Sequence, residues 1–235
     1  MTSALDEALE SLRIQEIELM KYTNITTTLK RVSGLSLFAA GALFASQAAL
    51  ACQTDAWSVT SGAVAAGDPT IAGGDIARYQ GLCGLEATGS GSGGGFVQDN
   101  SPGGIDRIVA RFYVLNDNTA NAEIYGGFGD TAGGSQVFSV ELDNGGNVTL
   151  RDMETGLSVS QAGATNWLSV EIDWARGAGN GVISLSVNGQ AAVENTALGN
   201  GAAAALQSVQ LGNLNGAAGT LGFDSYESRR STAVG

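Results

Sequence analysis

Between Trp167 and Trp174, apolar residues recur at every second position: Leu168, Val170, Ile172 and Trp174 alternate with Ser169, Glu171 and Asp173. Successive side chains of an extended strand point to opposite faces, so this stretch has one apolar face and one wet face. Val182–Val187 repeats the pattern, with Ile183, Leu185 and Val187 inward and Ser184 and Ser186 outward. No helix-length apolar period competes with it after Cys52, and Gly, Asn and Asp break the chain into short pieces. The pattern predicts strands at Ala56–Val64, Gly84–Thr88, Gly95–Gln98, Ile105–Leu115, Ala122–Phe128, Gln136–Leu142, Val148–Asp152, Trp167–Trp174, Val182–Val187, Gln207–Leu211 and Thr220–Glu227. That many amphipathic strands in one domain implies two packed antiparallel sheets, an all-β sandwich. Asp143-Asn144-Gly145-Gly146-Asn147 and Asn188-Gly189 are hairpin signals, because these residues accept positive φ cheaply.

The N-terminus divides differently. A basic stretch ends at Lys30-Arg31, an apolar run follows from Val32 to Ala45, and small residues close at Ala49-Leu50-Ala51. This is the order of a secretory signal. It begins at Met20-Lys21, whereas residues 1–19 carry five acids, so the expected division is an upstream extension at 1–19, a signal peptide at 20–51 and one domain at 52–235. The competing division makes Ala4–Leu19 an amphipathic helix ahead of an uncleaved anchor. The signal implies a periplasmic, cell-surface or extracellular protein, with no stable membrane span after cleavage. Cys52 and Cys83 are the only cysteines. In an oxidising compartment they are expected to form a disulfide, closing a loop that contributes roughly 3–4 kcal/mol. Lipoprotein processing at Cys52 is the alternative, although Leu50 sits one place away from where such signals put it.

Composition narrows the chemistry. The chain contains no His, and both lysines, Lys21 and Lys30, precede residue 52. A Ser-His-Asp triad, a Cys-His pair, a lysine Schiff base and a P-loop lysine are therefore excluded from the domain. Residues 52–235 hold 18 acids against 7 arginines, and Arg229-Arg230 is the one adjacent basic pair, so nucleic acid is not an expected partner. Gly89 to Gly95 lacks the Lys-Ser/Thr of a phosphate loop and reads as a surface loop inside the sandwich. Leu198–Leu206 reads as a connection with one helical turn.

Three further groups of segments go together: Gly81–Glu86, Phe96–Pro102 and Arg107–Val114; then Trp167–Trp174 with Val182–Gly189; then Gly222–Glu227. They resemble the concanavalin A-like, laminin G-like jelly-roll superfamily, whose Trp strand is followed by a turn, a strand ending Val-Asx-Gly and a closing Phe-Asp strand. The likeness covers most of residues 76–228. It implies a jelly-roll β-sandwich whose wet sheet face or rim loops bind a glycan or a surface protein. It points to Trp167, Glu171 and Asp173 as ligand-binding residues. The superfamily also includes structural and adhesive modules without a discrete site.

Glu171-Ile172-Asp173 resembles the start of the catalytic strand of the laminarinase and lichenase β-glucanases, Glu-Ile-Asp-x-x-Glu, in which the first carboxylate is the nucleophile and the last the acid/base. Here Arg176 occupies the last position, and a guanidinium cannot supply the proton. A non-catalytic module is thus expected, with Glu171 and Asp173 left as the only catalytic candidates. Asn116-Asp117-Asn118, Gly129-Asp130 and Asp143-Asn144 offer oxygen ligands, so Asp117, Asp130 and Asp143 are the expected positions if calcium binds. Asp and Asn are equally the ordinary residues of turns. Among Trp57, Tyr79, Tyr113, Tyr125, Trp167 and Trp174, all able to stack on a sugar, parity places Trp174 on the apolar face and Trp167 on the other. Arg107 and Arg111 are expected to pair with surface acids.

Overall fold

The computed structural model describes residues 53–67, 76–81, 83–116, 121–163 and 166–231. The chain divides into two compact units, residues 1–48 and 49–235, and every described residue belongs to the second. The signal segment, Cys52 and Asp117 lie outside the described residues, so the Cys52–Cys83 bridge stays an expectation.

The strands are β1 (Val59–Ser61), β2 (Ala63–Gly67), β3 (Gly84–Gly89), β4 (Phe96–Asp99), β5 (Arg107–Asn116), β6 (Ala122–Phe128), β7 (Gln136–Leu142), β8 (Asn147–Asp152), β9 (Ser158–Ala162), β10 (Trp167–Ala175), β11 (Ala178–Val187), β12 (Val193–Gly199), β13 (Ser208–Gly212) and β14 (Gly219–Arg229). They form two seven-stranded sheets, β1-β4-β13-β6-β7-β8-β9 and β12-β11-β10-β5-β14-β3-β2, with antiparallel pairing throughout. Among the described residues a 3-10 turn, Thr54–Ala56, precedes them. The expected all-β sandwich is what forms, and β10 keeps its predicted alternation: Leu168, Val170, Ile172 and Trp174 are fully buried, and the residues between them face out.

The core between the sheets is built on Trp174, Phe112, Phe138, Tyr125 and Phe223, and these rings meet in tilted contacts 5.3–6.4 Å apart. Centroid spacings of this order suit the aromatic quadrupole better than a face-to-face sandwich. Between Asp224 and Glu227 β14 slips register, with Ser225 at φ 51°. Tyr226 there packs against Trp57, and its hydroxyl meets that of Tyr125 at 3.1 Å. Burial raises both phenol pKa values, so the pair is two neutral hydroxyls, one donating to the other.

Three departures from the strand reading have local causes. The expected strand Ala56–Val64 is two strands in different sheets, because the chain crosses over at Gly62, which has φ 69° and lies where a Cβ would come within 2.1 Å of the Gly94 carbonyl. Both β9 and β12 escape the sequence pattern. The first is Ser-Val-Ser-Gln-Ala at a sheet edge with little to bury, and the second is interrupted by Ala197 at φ 66°. Residues after Gly199 make a turn, closed by Ala203 N–H donating to the Asn200 carbonyl at 3.1 Å, and not the expected helical turn. The Asn188-Gly189 turn is as expected, with φ of 54° and 67° and Gln190 N–H donating to the Val187 carbonyl.

Candidate functional site

The outer face of the β12-to-β2 sheet carries the wet side of β10. Cross-strand register places Tyr113 of β5 between Ser169 of β10 and Asp224 of β14, and Arg111 between Glu171 and Glu227. A segment outside the sheet, residues 76–81, lies over β3 and β14. Glu86 accepts the Ala77 amide at 2.9 Å, and one Asp224 oxygen accepts the amides of Tyr79 and Gln80 at 2.8 and 2.9 Å. Close approach is possible because Gly84 is bare: a Cβ there would sit 2.1 Å from the Ala77 carbonyl oxygen.

This anchoring sets Tyr79 flat on Tyr113, with centroids 3.9 Å apart and planes 15° apart, and brings its ring to 6.0 Å from Trp167, edge-on. Tyr79 is 46% exposed even with one face stacked on Tyr113. The three rings, with Ser169, Asn188 and Gly189, line a cleft of about 370 Å³. Asn188 is locked by accepting the Ser169 amide on Oδ1 at 2.9 Å and donating its own amide to the Ser169 carbonyl at 2.8 Å. The arrangement is a preformed aromatic platform with a few directed polar groups, which is the make-up of small-ligand sites in general.

The carboxylates of β10 differ in state. Asp173 is held side-on by Arg107, whose Nε and Nη2 donate two hydrogen bonds of 2.9 and 2.5 Å, and that hydrogen bonding raises the guanidinium pKa. Glu171 makes no hydrogen bond or ion pair with any described residue, since the facing Arg111 reaches Glu227 instead, at 3.8 Å. Arg176, standing where a glucanase carries its acid, binds Asp106 at 2.7 Å and the Ala203 carbonyl at 2.8 Å. Glu171 therefore has no free carboxylate companion on its own strand. The expected pairing of Arg107 and Arg111 with surface acids is present.

Of the oxygen-ligand candidates, Asp130 and Asp143 sit in turns at opposite ends of the β6–β7 pair. Asp130 accepts the amides of Ala132 and Gly134, and Asp143 accepts those of Gly145 and Asn147 together with the Asn147 side-chain amide. These bonds lower both pKa values, led by the Gly134 amide at Asp130 and the Asn147 side chain at Asp143. Both carboxylates act as turn caps, and no group of three or more metal-ligating side chains occurs among the described residues. Tyr79, Tyr113 and Trp167 are stacking candidates by residue type, but nothing in the sequence shows that they meet. That depends on Asp224 holding the segment around Tyr79, more than 140 residues away in the chain.

Comparison with known proteins adds the fold. No family profile and no curated protein matches the chain. Among solved structures it resembles the endo-β-1,4-glucuronan lyase of Trichoderma reesei, at 10% identity over 75% of this chain and 92% of that one, with a TM-score of 0.52. It resembles the cellulose-induced protein Cip1 to the same TM-score, at 13% identity over 76% and 91% of the two chains. At such identities the likeness is one of β-sandwich architecture.

Proposed function

We propose that residues 52–235 form an exported, non-catalytic binding module of the concanavalin A-like kind, and that its ligand is a carbohydrate held on Tyr79, Tyr113 and Trp167. The observation that carries this reading is the exposed Tyr79 ring, fixed from behind by Tyr113 and flanked edge-on by Trp167. The electron-rich face of an aromatic ring attracts the slightly positive C–H face of a pyranose. A platform that is already stacked loses little side-chain entropy when it binds. Ser169 and Asn188 at the rim supply hydroxyl and amide groups for sugar hydroxyls. Asp173 and Arg176 are engaged in ion pairs, which favours binding over glycoside hydrolysis at this face. Export would follow from residues 20–51, with a Cys52–Cys83 bridge tying down the start of the domain.

Calorimetric titration of the purified protein against neutral, amino and acidic oligosaccharides tests this. Trp167→Ala and Tyr79→Ala are each expected to weaken binding at least tenfold, about 1.4 kcal/mol. The melting temperature of Tyr79→Ala should stay near that of the parent, since the ring lies outside the core and is nearly half exposed. Unchanged affinity in both variants would move the ligand elsewhere, and no binding to any sugar would sink the reading.

A further inference from the structure

Tyr113, one of the cleft-lining residues, has two acidic neighbours across the sheet. Asp224 faces it directly from β14, and Glu171 is diagonal to it on β10, one outward position beyond its partner Ser169. Neither carboxylate forms an ion pair with a described arginine: Arg107 pairs with Asp173, Arg111 and Arg229 with Glu227, Arg151 with Glu141 and Arg176 with Asp106. Asp224 is satisfied by the neutral donors Tyr79 N–H, Gln80 N–H and the Ser225 hydroxyl, which leave its charge uncancelled. Both side chains are half-buried, where charge is less screened than in open water. The domain has neither Lys nor His to offset them.

Two effects of one sign therefore converge on the cleft. Carboxylates on both sides of Tyr113 lower the local potential, and the faces of Tyr79 and Trp167 attract cations through their ring quadrupoles. We propose that the site selects an amine-bearing glycan, an oligomer of protonated 2-amino sugars, with Glu171 as the residue that recognises the ammonium group. Trp167 and Glu171 stand four residues apart on one strand face, about 13 Å at the usual rise, so an oligosaccharide stacked on Trp167 can run along β10 past Ser169 to the carboxylate. Uronates and sulfated sugars meet repulsion at the same positions. The inference rests on the carbohydrate reading above and adds the substrate class.

Titration with glucosamine oligomers, their N-acetylated counterparts and oligoglucuronate separates the two claims. Glucosamine oligomers are expected to bind about fivefold more tightly than the N-acetylated ones, as one partly exposed charge contact allows. Glu171→Gln should erase that difference while leaving N-acetylated binding intact, and added salt should narrow it in the parent protein. Equal affinity for the aminated and acetylated oligomers, tighter binding of the uronate, or a preference that survives Glu171→Gln would overturn the amine assignment while leaving the sugar platform standing. Failure of every oligosaccharide to bind overturns both. A melting temperature matching the parent's shows that Glu171→Gln is folded, as expected for a side chain without partners.

Discussion

Replacing Asp152 with alanine is expected to destabilise the fold by about 4 kcal/mol, several times the cost of an average substitution. Asp152 is an ion at an inward position of β8, with no solvent exposure. One of its oxygens accepts from Trp174 Nε1 at 2.9 Å and Asn200 Nδ2 at 2.7 Å, and the other from the Thr155 amide and hydroxyl at 2.9 and 2.8 Å. Alanine strands the Trp174 and Asn200 donors in a dry site, each costing on the order of 1–3 kcal/mol unless water enters, and leaves the two half-buried Thr155 donors without their acceptor. Asn200 is itself fully buried and accepts the Gly177 amide at 2.8 Å, so the damage reaches the β10–β11 turn. A drop of about 10 °C in melting temperature is the corresponding reading.

Burial alone would raise the Asp152 pKa, but the hydrogen bonds from Asn200, Thr155 and Trp174 together outweigh it, and the net shift is downward. A carboxylate whose pKa is lower folded than unfolded contributes stability above its unfolded value, about 3.9. That contribution is lost as pH falls through the folded value. Chemical denaturation of the parent protein should accordingly show stability falling as the pH drops below about 4, with a shallower fall in Asp152→Asn. An alanine variant within 1 kcal/mol of the parent would mean that water or a rearranged Asn200 satisfies the donors.

Gly94→Ala is expected to cost about 3 kcal/mol, the upper range for overpacking, whereas Gly93→Ala one residue away should be nearly neutral. A Cβ at Gly94 would stand 1.7 Å from the Asn213 carbonyl oxygen, and one at Gly93 meets nothing within 4 Å. The reason is that two loops lie backbone to backbone here: Gly91 N–H donates to the Gly216 carbonyl and Asn213 N–H to the Gly95 carbonyl, both at 2.8 Å. The overlap falls on main chain, which cannot rotate aside as a side chain can. Thermal melts of the two variants decide it, and equal midpoints would show that the loops separate without cost.

Legibility in the sequence followed the physics of each element. Strands with one wet face announced themselves, because period-two burial is written directly into β10 and β11. The separation of Trp174 from Trp167 followed from parity alone. The edge strands β9 and β12 were silent, since they bury too little to require a pattern. Asp152 looked like the polar end of a strand, although it is a buried ion, because the donors that make burial tolerable come from Trp174 and from Asn200, 48 residues away. Gly89–Gly95 read as a loop, but the need for glycine at position 94 comes from a neighbour more than a hundred residues distant.

For the candidate site the division is the same. The residue types of the cleft, its lack of Lys and His, and the outward direction of Trp167 and Glu171 were set by the sequence, since parity and composition are local properties. Only the tertiary structure decided that Tyr79 stacks on Tyr113, that Arg107 neutralises Asp173, and that Arg111 turns to Glu227 and leaves Glu171 without an ion pair among the described residues. Those outcomes depend on strand register across three chain segments and on a loop anchored to Asp224, and contacts between distant segments leave no periodic trace along the chain.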